Sequence, residues 1–236
     1  MILPLILLNL APSPSFKDSV ILPTGTKAIA IHAVAGKWQT LSGKPYPIQI
    51  KEKFTTREAP SWGIVLVPKS PYDMNFYSKV GAPTVDVSLD PRIPRLVRLS
   101  NWDQDIVPPQ KGSFIALFTI PNIAECPKFN VAEGAWKVAS SAVLKNGSFV
   151  KSLDTKLLEN LTKPSGKSSK LTVLVDRSQF SKQYAYNVRA YDGNKLLTWN
   201  GTFRTGDEEV WNFGAKPSDA IKVNIVRRPY TEINFK

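Results

Sequence analysis

Nineteen prolines are spread along the 236 residues of this chain, against thirteen glycines. Proline has no backbone N–H, so it is excluded from helix interiors and central β-ladders and is found at edges, turns and extended connections. A chain this rich in proline favours short strands over long helices. Because the runs between the prolines are mostly short and apolar, and several alternate with polar residues, we predict an all-β protein of antiparallel β-sandwiches.

The first hundred residues contain five predicted strands. Residues 27–34 and 47–54 alternate in the way expected of half-buried strands, whereas residues 63–67 form a continuous apolar run, which predicts a strand buried on both faces. Two further runs, 84–90 and 95–99, are separated by Pro91-Arg-Ile-Pro94.

A polar segment with adjacent prolines, residues 101–112, follows these strands and is typical of a stiff connector between two domains or two sheets. We therefore divide the chain into an extended apolar arm (residues 1–16), an N-terminal β domain (17–105) and a C-terminal β-sandwich domain (106–236).

Strand patterns resume after the connector. They predict strands over residues 113–120, 135–144, 171–175, 220–226 and 230–235. Asn146-Gly147 lies between two apolar pairs, which is a strong signal for a two-residue hairpin. Residues 151–161 place Leu153, Leu157, Leu158 and Leu161 on one helical face, so at most one short helix is expected there.

Residues 183–191 alternate as Tyr-x-Tyr-x-Val-x-Ala, and an Asp-Gly-Asn turn leads to a second run ending in Gly-Thr-Phe-Arg-Thr-Gly206. This pattern, within residues 171–206, resembles the final hairpin of fibronectin type III and related immunoglobulin-like sandwiches. About 30 residues follow Gly206, where such a domain usually ends. The resemblance implies a fold and a role as a spacer or binding platform, and it implies no activity.

The first ten residues, Met-Ile-Leu-Pro-Leu-Ile-Leu-Leu-Asn-Leu, are largely apolar. They are too few to cross a membrane, which takes roughly 20 residues. They also lack the basic start and the length of a secretory signal, although a degenerate signal stays an alternative. We expect an extended arm that this chain or another one covers.

The net charge is +12, with 31 Lys and Arg against 19 Asp and Glu. The basic residues occur as singles and pairs, which is typical of a solvated surface and does not favour a dedicated nucleic-acid site. An anionic partner surface or an acidic neighbouring subunit would also suit this charge.

Catalytic and metal-binding constellations are poorly represented in the sequence. With one histidine, His32, and one cysteine, Cys126, metal sites built on these residues are excluded by count, and a Ser-His-Asp or Cys-His arrangement is not supported. Cys126 cannot form an internal disulfide. Carboxylates of a glycosidase would have to come from Asp103 with Asp105 or from Asp207-Glu208-Glu209, which we interpret as linker and turn residues. We therefore expect no catalytic residue, no metal and no cofactor.

Six tryptophans provide the remaining candidates for a binding site. Trp38 and Trp62 adjoin predicted turns and are expected to be the more exposed, which would suit stacking on sugar rings. Trp199 alternates with Leu197 and Gly201, which predicts a position in the core. Asn146, Asn160 and Asn200 lie in glycosylation sequons, which carry weight only in a secreted protein.

These observations favour a non-enzymatic structural subunit of a large assembly, namely a virion protein such as a bacteriophage capsid-associated, neck or tail component. Its expected partners are other protein subunits in a homo- or hetero-oligomer, with no membrane span. One alternative is a secreted or surface-attached module that binds an anionic polysaccharide. Another is a basic capsid protein that contacts nucleic acid.

Overall fold

The computed structural model of the chain describes residues 17–51, 59–71, 81–88, 98–100, 106–120, 126–145, 148–153, 160–162, 170–214 and 221–235. These residues form twenty strands in five sheets, with antiparallel pairing, and one turn of 3-10 helix at Arg177–Gln179. The all-β prediction is confirmed. The chain divides into two compact units: the first runs to Val131 and resumes at Glu232, and the second comprises Ala132–Thr231.

The strands follow one another closely along the chain. The first ten are β1 (Ser19–Ile21), β2 (Lys27–Val34), β3 (Lys37–Thr40), β4 (Gln49–Ile50), β5 (Trp62–Val67), β6 (Thr84–Ser88), β7 (Arg98–Ser100), β8 (Ile106–Val107), β9 (Phe114–Phe118) and β10 (Lys128–Ala132). The second ten are β11 (Lys137–Lys145), β12 (Ser148–Leu153), β13 (Asn160–Thr162), β14 (Lys170–Asp176), β15 (Tyr184–Asp192), β16 (Lys195–Leu196), β17 (Trp199–Thr205), β18 (Glu208–Gly214), β19 (Ile221–Pro229) and β20 (Thr231–Ile233).

The first unit is built around a six-stranded sheet of order β1-β2-β5-β9-β7, in which β3 also pairs with β2. One face of this sheet packs against the three-stranded sheet β20-β10-β6, where Phe118, Phe129 and Phe235 share one apolar cluster. The opposite face contributes to a second apolar cluster, which also includes Ile106 of the small β4-β8 pair. Strand β5 is therefore buried on both faces, as its continuous apolar sequence predicts.

The second unit is a sandwich of two sheets, β12-β11-β19-β15-β16 and β13-β14-β18-β17. Both sheets contribute to a single core, whose buried members are Ala142, Leu171, Val173, Val175, Val188, Ala190, Phe213, Ile221, Val223 and Ile225. In β14, β15 and β19 these residues alternate along the strand, because successive side chains of a strand point to opposite faces. The sandwich prediction is confirmed for this unit.

The structural division differs from the predicted boundary between residues 105 and 106. Strand β9 pairs with β5 and β7, and β20 pairs with β10, so these strands complete the sheets of the first unit. The second unit accordingly begins at Ala132 and ends at Thr231. The prediction of an arm over residues 1–16 lies outside the described residues.

The helix predicted over residues 151–161 is wrong wherever the structure describes them. Lys151–Leu153 end β12 and pair with β11, whereas residues 160–162 form β13 and pair with β14. The regular leucine spacing was therefore overridden by strand pairing, with β12 and β13 each bonded to one neighbouring strand. The hairpin predicted at Asn146-Gly147 is supported by its flanking pair, since Lys145 lies opposite Ser148; the two turn residues lie outside the described part of the chain.

The long hairpin predicted from the Tyr-x-Tyr pattern is also corrected. Strands β15 and β16 pair over only two residues, Tyr191 with Leu196 and Asp192 with Lys195. The chain then crosses to the other sheet, where β17 pairs with β18. The two runs that resembled one final hairpin therefore belong to opposite layers of the sandwich. The strands predicted over residues 220–226 and 230–235 are confirmed as β19 and β20.

Candidate functional site

Strand β17 forms an edge of its sheet in the second unit. It pairs with β18 on one side, and no described strand pairs with it on the other. Three large apolar side chains are exposed on β17 and on the preceding strand β16: Leu196 (48% exposed), Trp199 (57%) and Phe203 (57%). We call these three residues the apolar flank.

Trp199 begins β17 at a β-bulge. The register with β18 shifts between Trp199 and Gly201, and Gly201 adopts a positive φ of 142°, a conformation that glycine tolerates and other residues rarely adopt. The indole Nε1 of Trp199 donates a hydrogen bond of 2.9 Å to Oγ1 of Thr202. Its ring centroid lies 6.1 Å from that of Trp211. The polar end of the indole is thus satisfied locally, and much of the ring remains accessible.

Phe203 projects from the face of this sheet that is opposite to the face of Trp199. It lies across from Val210, which in turn lies across from Leu174, so these three side chains form a row on the outer face. Trp199 instead lies across from Phe213, which is buried in the core. Beyond the bulge, the paired backbone is regular from Gly201 to Thr205. An edge strand is therefore flanked by an exposed aromatic side chain on each face.

Two ionic groups lie close to this edge. Arg204 of β17 is exposed and lies across from Glu209 of β18. Glu209 also accepts a hydrogen bond of 3.1 Å from Nη1 of Arg177, with which it forms an ion pair. The acids of the Asp207-Glu208-Glu209 turn are thus turn and strand residues, and Glu209 is engaged with a cation. Asp103 and Asp105 lie outside the described residues.

Several arginines of the second unit rest on aromatic rings. The Arg228 guanidinium lies 4.1 Å from the Trp136 ring centroid, and Arg227 lies 4.5 Å from that of Tyr184. Arg228 is 1% exposed and donates a hydrogen bond of 3.4 Å to the carbonyl of Gly134. Arg228 is therefore packed in a cation–π pair and does not contribute to an accessible cationic surface, whereas Arg227 is half-buried.

His32 and Cys126 both lie in the first unit. The His32 ring stacks on Trp62 at 5.2 Å, and its Nε2 is within 3.1 Å of Nε2 of Gln39. Cys126 is half-buried against the apolar cluster of that unit, with its Sγ 3.5 Å from the carbonyl of Pro127. Both side chains therefore lie in packed positions of the first unit.

The tryptophan predictions were wrong in two of three cases. Trp62 is 6% exposed and packs in the core, and Trp199, which was expected in the core, is exposed. Trp38 is half-buried. The reason for the error at Trp199 is the position of β17 at the edge of its sheet, where no described strand covers the residue. The bulge beside it has one sequence signal, Gly201, since a glycine inside a strand often indicates a bulge.

Among the residues that the structure describes, no three His, Cys, Asp or Glu side chains are grouped closely enough to hold a metal ion. Within the same residues, no helix has the length and apolar character needed to span a bilayer. Of the three sequon asparagines, Asn200 is exposed, Asn146 lies outside the described residues, and Asn160 falls in β13. No protein-family model matches this chain, and comparisons with curated proteins and with solved structures return no match.

Proposed function

We propose that this protein is a non-enzymatic structural subunit of a large assembly. The assembly is a virus particle, and the protein is a capsid-associated, neck or tail component such as those of a bacteriophage. The observation that carries the proposal is the apolar flank. Monomeric proteins generally protect edge strands with charges, prolines or covering segments, because an open apolar edge pairs with other chains. On β17 two aromatic side chains are 57% exposed, which suits an edge that is covered after assembly.

The strand order of the second unit supports a binding-platform role. The sheet β13-β14-β18-β17 follows the A-B-E-D order of an immunoglobulin constant-type domain, and β16-β15-β19 follows C′-C-F. The place of the last strand, G, is taken by β11, which precedes the others in the chain and pairs antiparallel with β19. We infer an immunoglobulin-like sandwich whose closing strand comes from the N-terminal side.

The apolar arm is the second support for an assembly role. Residues 1–10 contain no charged side chain, whereas the whole chain carries +12. Burying apolar surface contributes a favourable free energy of roughly 25 cal/mol per Å². Such a segment is therefore expected to dock on a protein surface. Extended segments commonly dock by adding a strand to an exposed sheet edge.

The test compares the full-length chain with a variant that lacks residues 2–16. Light scattering coupled to size exclusion, over a hundredfold range of concentration, should show oligomers for the full-length chain and a folded monomer for the variant. Circular dichroism and urea unfolding of the variant verify that it is folded. A full-length chain that stays monomeric throughout, or a truncated chain that assembles normally, contradicts the proposal.

A second candidate is a surface module that binds an anionic polysaccharide. The specific observation in its favour is the exposed Trp199 ring, since aromatic faces stack on sugar rings and basic residues pair with anionic groups. N-terminal sequencing of native material separates the two candidates. An intact residue 1 or 2 supports the assembly subunit, and cleavage near residues 11–15 supports the secreted module.

A further inference from the structure

We propose that the open edge of β17 in one subunit accepts residues 5–10 of a neighbouring subunit as an added antiparallel or parallel strand. This inference rests on the proposed function, because it names the acceptor site through which the arm would join two subunits. It identifies the partner as a second copy of this chain.

The lengths of donor and acceptor agree. Strand β17 has seven residues and therefore spans about 23 Å at roughly 3.3 Å per residue. Residues 5–10 contain no proline, and as an extended segment they span about 20 Å. Pro4 cannot donate a ladder hydrogen bond, so it suits the position just outside the paired segment.

The side-chain patterns also agree. The donor segment is Leu-Ile-Leu-Leu-Asn-Leu, so once it is extended one face is entirely apolar and the other carries two leucines and Asn9. At β17, Phe203 projects on the outer face and Trp199 lies on the core side, so an added strand would meet an exposed aromatic side chain on either face.

Other edges of the described sheets fit less well. Strand β1 has three residues and a single exposed apolar side chain, Ile21, while β16 has two residues. Strand β6 has five residues, but Val85 and Val87 are buried and Asp86 is exposed between them. Among the edge strands whose side chains are described, β17 is the longest and the one with two exposed aromatic residues.

The first experiment measures binding of a peptide. A fluorescent peptide of residues 3–16, with two lysines added for solubility, is titrated into the chain that lacks residues 2–16. Trp199→Lys and Phe203→Lys each place a charge at the edge and should weaken binding at least tenfold. Ile21→Lys, on the exposed edge β1, is the matched control and should change binding less than twofold.

The second experiment locates the contact in the full-length chain. A photo-reactive phenylalanine at position 8 is cross-linked in a mixture of 14N and 15N chains, followed by trypsin digestion. Cleavage after Lys195 and Arg204 releases residues 196–204, which hold all three residues of the apolar flank. We expect a cross-link to this peptide that joins 14N to 15N chains.

The outcomes separate this inference from the proposed function. A cross-link to another region, a cross-link confined to one chain, or unchanged peptide binding by both β17 variants overturns the β17 assignment while oligomers of the full-length chain still support the assembly role. A full-length chain that is monomeric and yields no cross-link between chains overturns both.

Discussion

Oγ of Ser141 in β11 donates a hydrogen bond of 2.8 Å to Oδ1 of Asn224 in β19, and both side chains are buried. The two residues are 83 positions apart in sequence and lie directly across from each other in the sheet. This pair joins the first strand of the second unit to one of its last strands. A buried polar pair of this kind is satisfied only when the two strands are in register.

Replacing Asn224 by Ala should lower the free energy of unfolding by about 1–3 kcal/mol, because the buried hydroxyl of Ser141 loses this acceptor. Asn212→Ala is the matched control: Asn212 accepts a hydrogen bond of 3.1 Å from Thr172, but both residues are only half-buried. We expect the control to lose about 1 kcal/mol or less. Urea unfolding measures both values, and equal losses would contradict the role assigned to burial.

Gly63→Ala should destabilise the first unit by about 1–3 kcal/mol through overpacking. A Cβ at position 63 would lie 2.5 Å from Cδ2 of Leu117 and 3.1 Å from Cγ1 of Ile31. Gly214→Ala is the control, since its Cβ would meet only the side chain of Asn200, at 3.4 Å. The control should change stability by less than about 0.5 kcal/mol. A Gly63→Ala variant as stable as the control would show that the β2-β5-β9 packing is looser than described.

Asp18→Asn should lower stability at neutral pH, by about 1 kcal/mol or less because the carboxylate is close to solvent. Burial acts to raise the pKa of Asp18, but hydrogen bonds from the hydroxyl and the backbone N–H of Ser42 outweigh it and lower the pKa below its ordinary value of 3.8. The ionised form therefore stabilises the fold above pH 3.8, and this contribution is lost as the pH falls through the lowered pKa.

Denaturant unfolding from pH 7 to pH 2 checks this dependence. The stability difference between Asp18→Asn and the unmodified chain should shrink towards acid pH. Ser42→Ala removes the hydroxyl partner of the same carboxylate, so its destabilisation should shrink over the same range. A difference that is constant with pH would show that the carboxylate charge is not involved.

Phe235→Ala should lower the free energy of unfolding of the first unit by about 3–5 kcal/mol. Phe235 is 1% exposed, and its ring lies edge-on to Phe129 with centroids 6.2 Å apart. Phe203→Ala, the same substitution at the exposed edge of the second unit, should cost less than about 0.5 kcal/mol. Hydrogen exchange should show the loss of protection mainly in β6, β10 and β20. A loss confined to the last few residues would contradict the place of the C-terminal strand in this core.

The sequence predicted most individual strands but few of their partners. The bounds of β2 agree with the alternation of residues 27–34, and β5 is buried on both faces as its apolar run indicates. These features depend on the local order of apolar and polar residues, which can be recognised in the sequence of a strand. The leucine spacing of residues 151–161 was misleading, because Leu153 and Leu161 lie in strands that pair with β11 and β14.

The sequence predicted the candidate site less well than it predicted the fold. Trp199 was assigned to the core and Trp62 to the surface, and the structure reverses both positions. Exposure depends on whether a neighbouring strand covers a residue, and for β17 that depends on its place at the end of a four-stranded sheet. No property of residues 199–205 alone carries this information, apart from the bulge that Gly201 indicates.

The sequence by itself determined the all-β class, the positions of most strands and the presence of a single histidine and a single cysteine. Proline distribution and side-chain alternation act on neighbouring residues, so they can be read along the chain. Only the tertiary structure decided that β20 returns to the first unit, that β11 closes the second, and that β17 is left at an edge. Those choices depend on pairing between strands that are far apart in sequence, such as β11 and β19. The free energy that favours this pairing comes from the burial of a shared core.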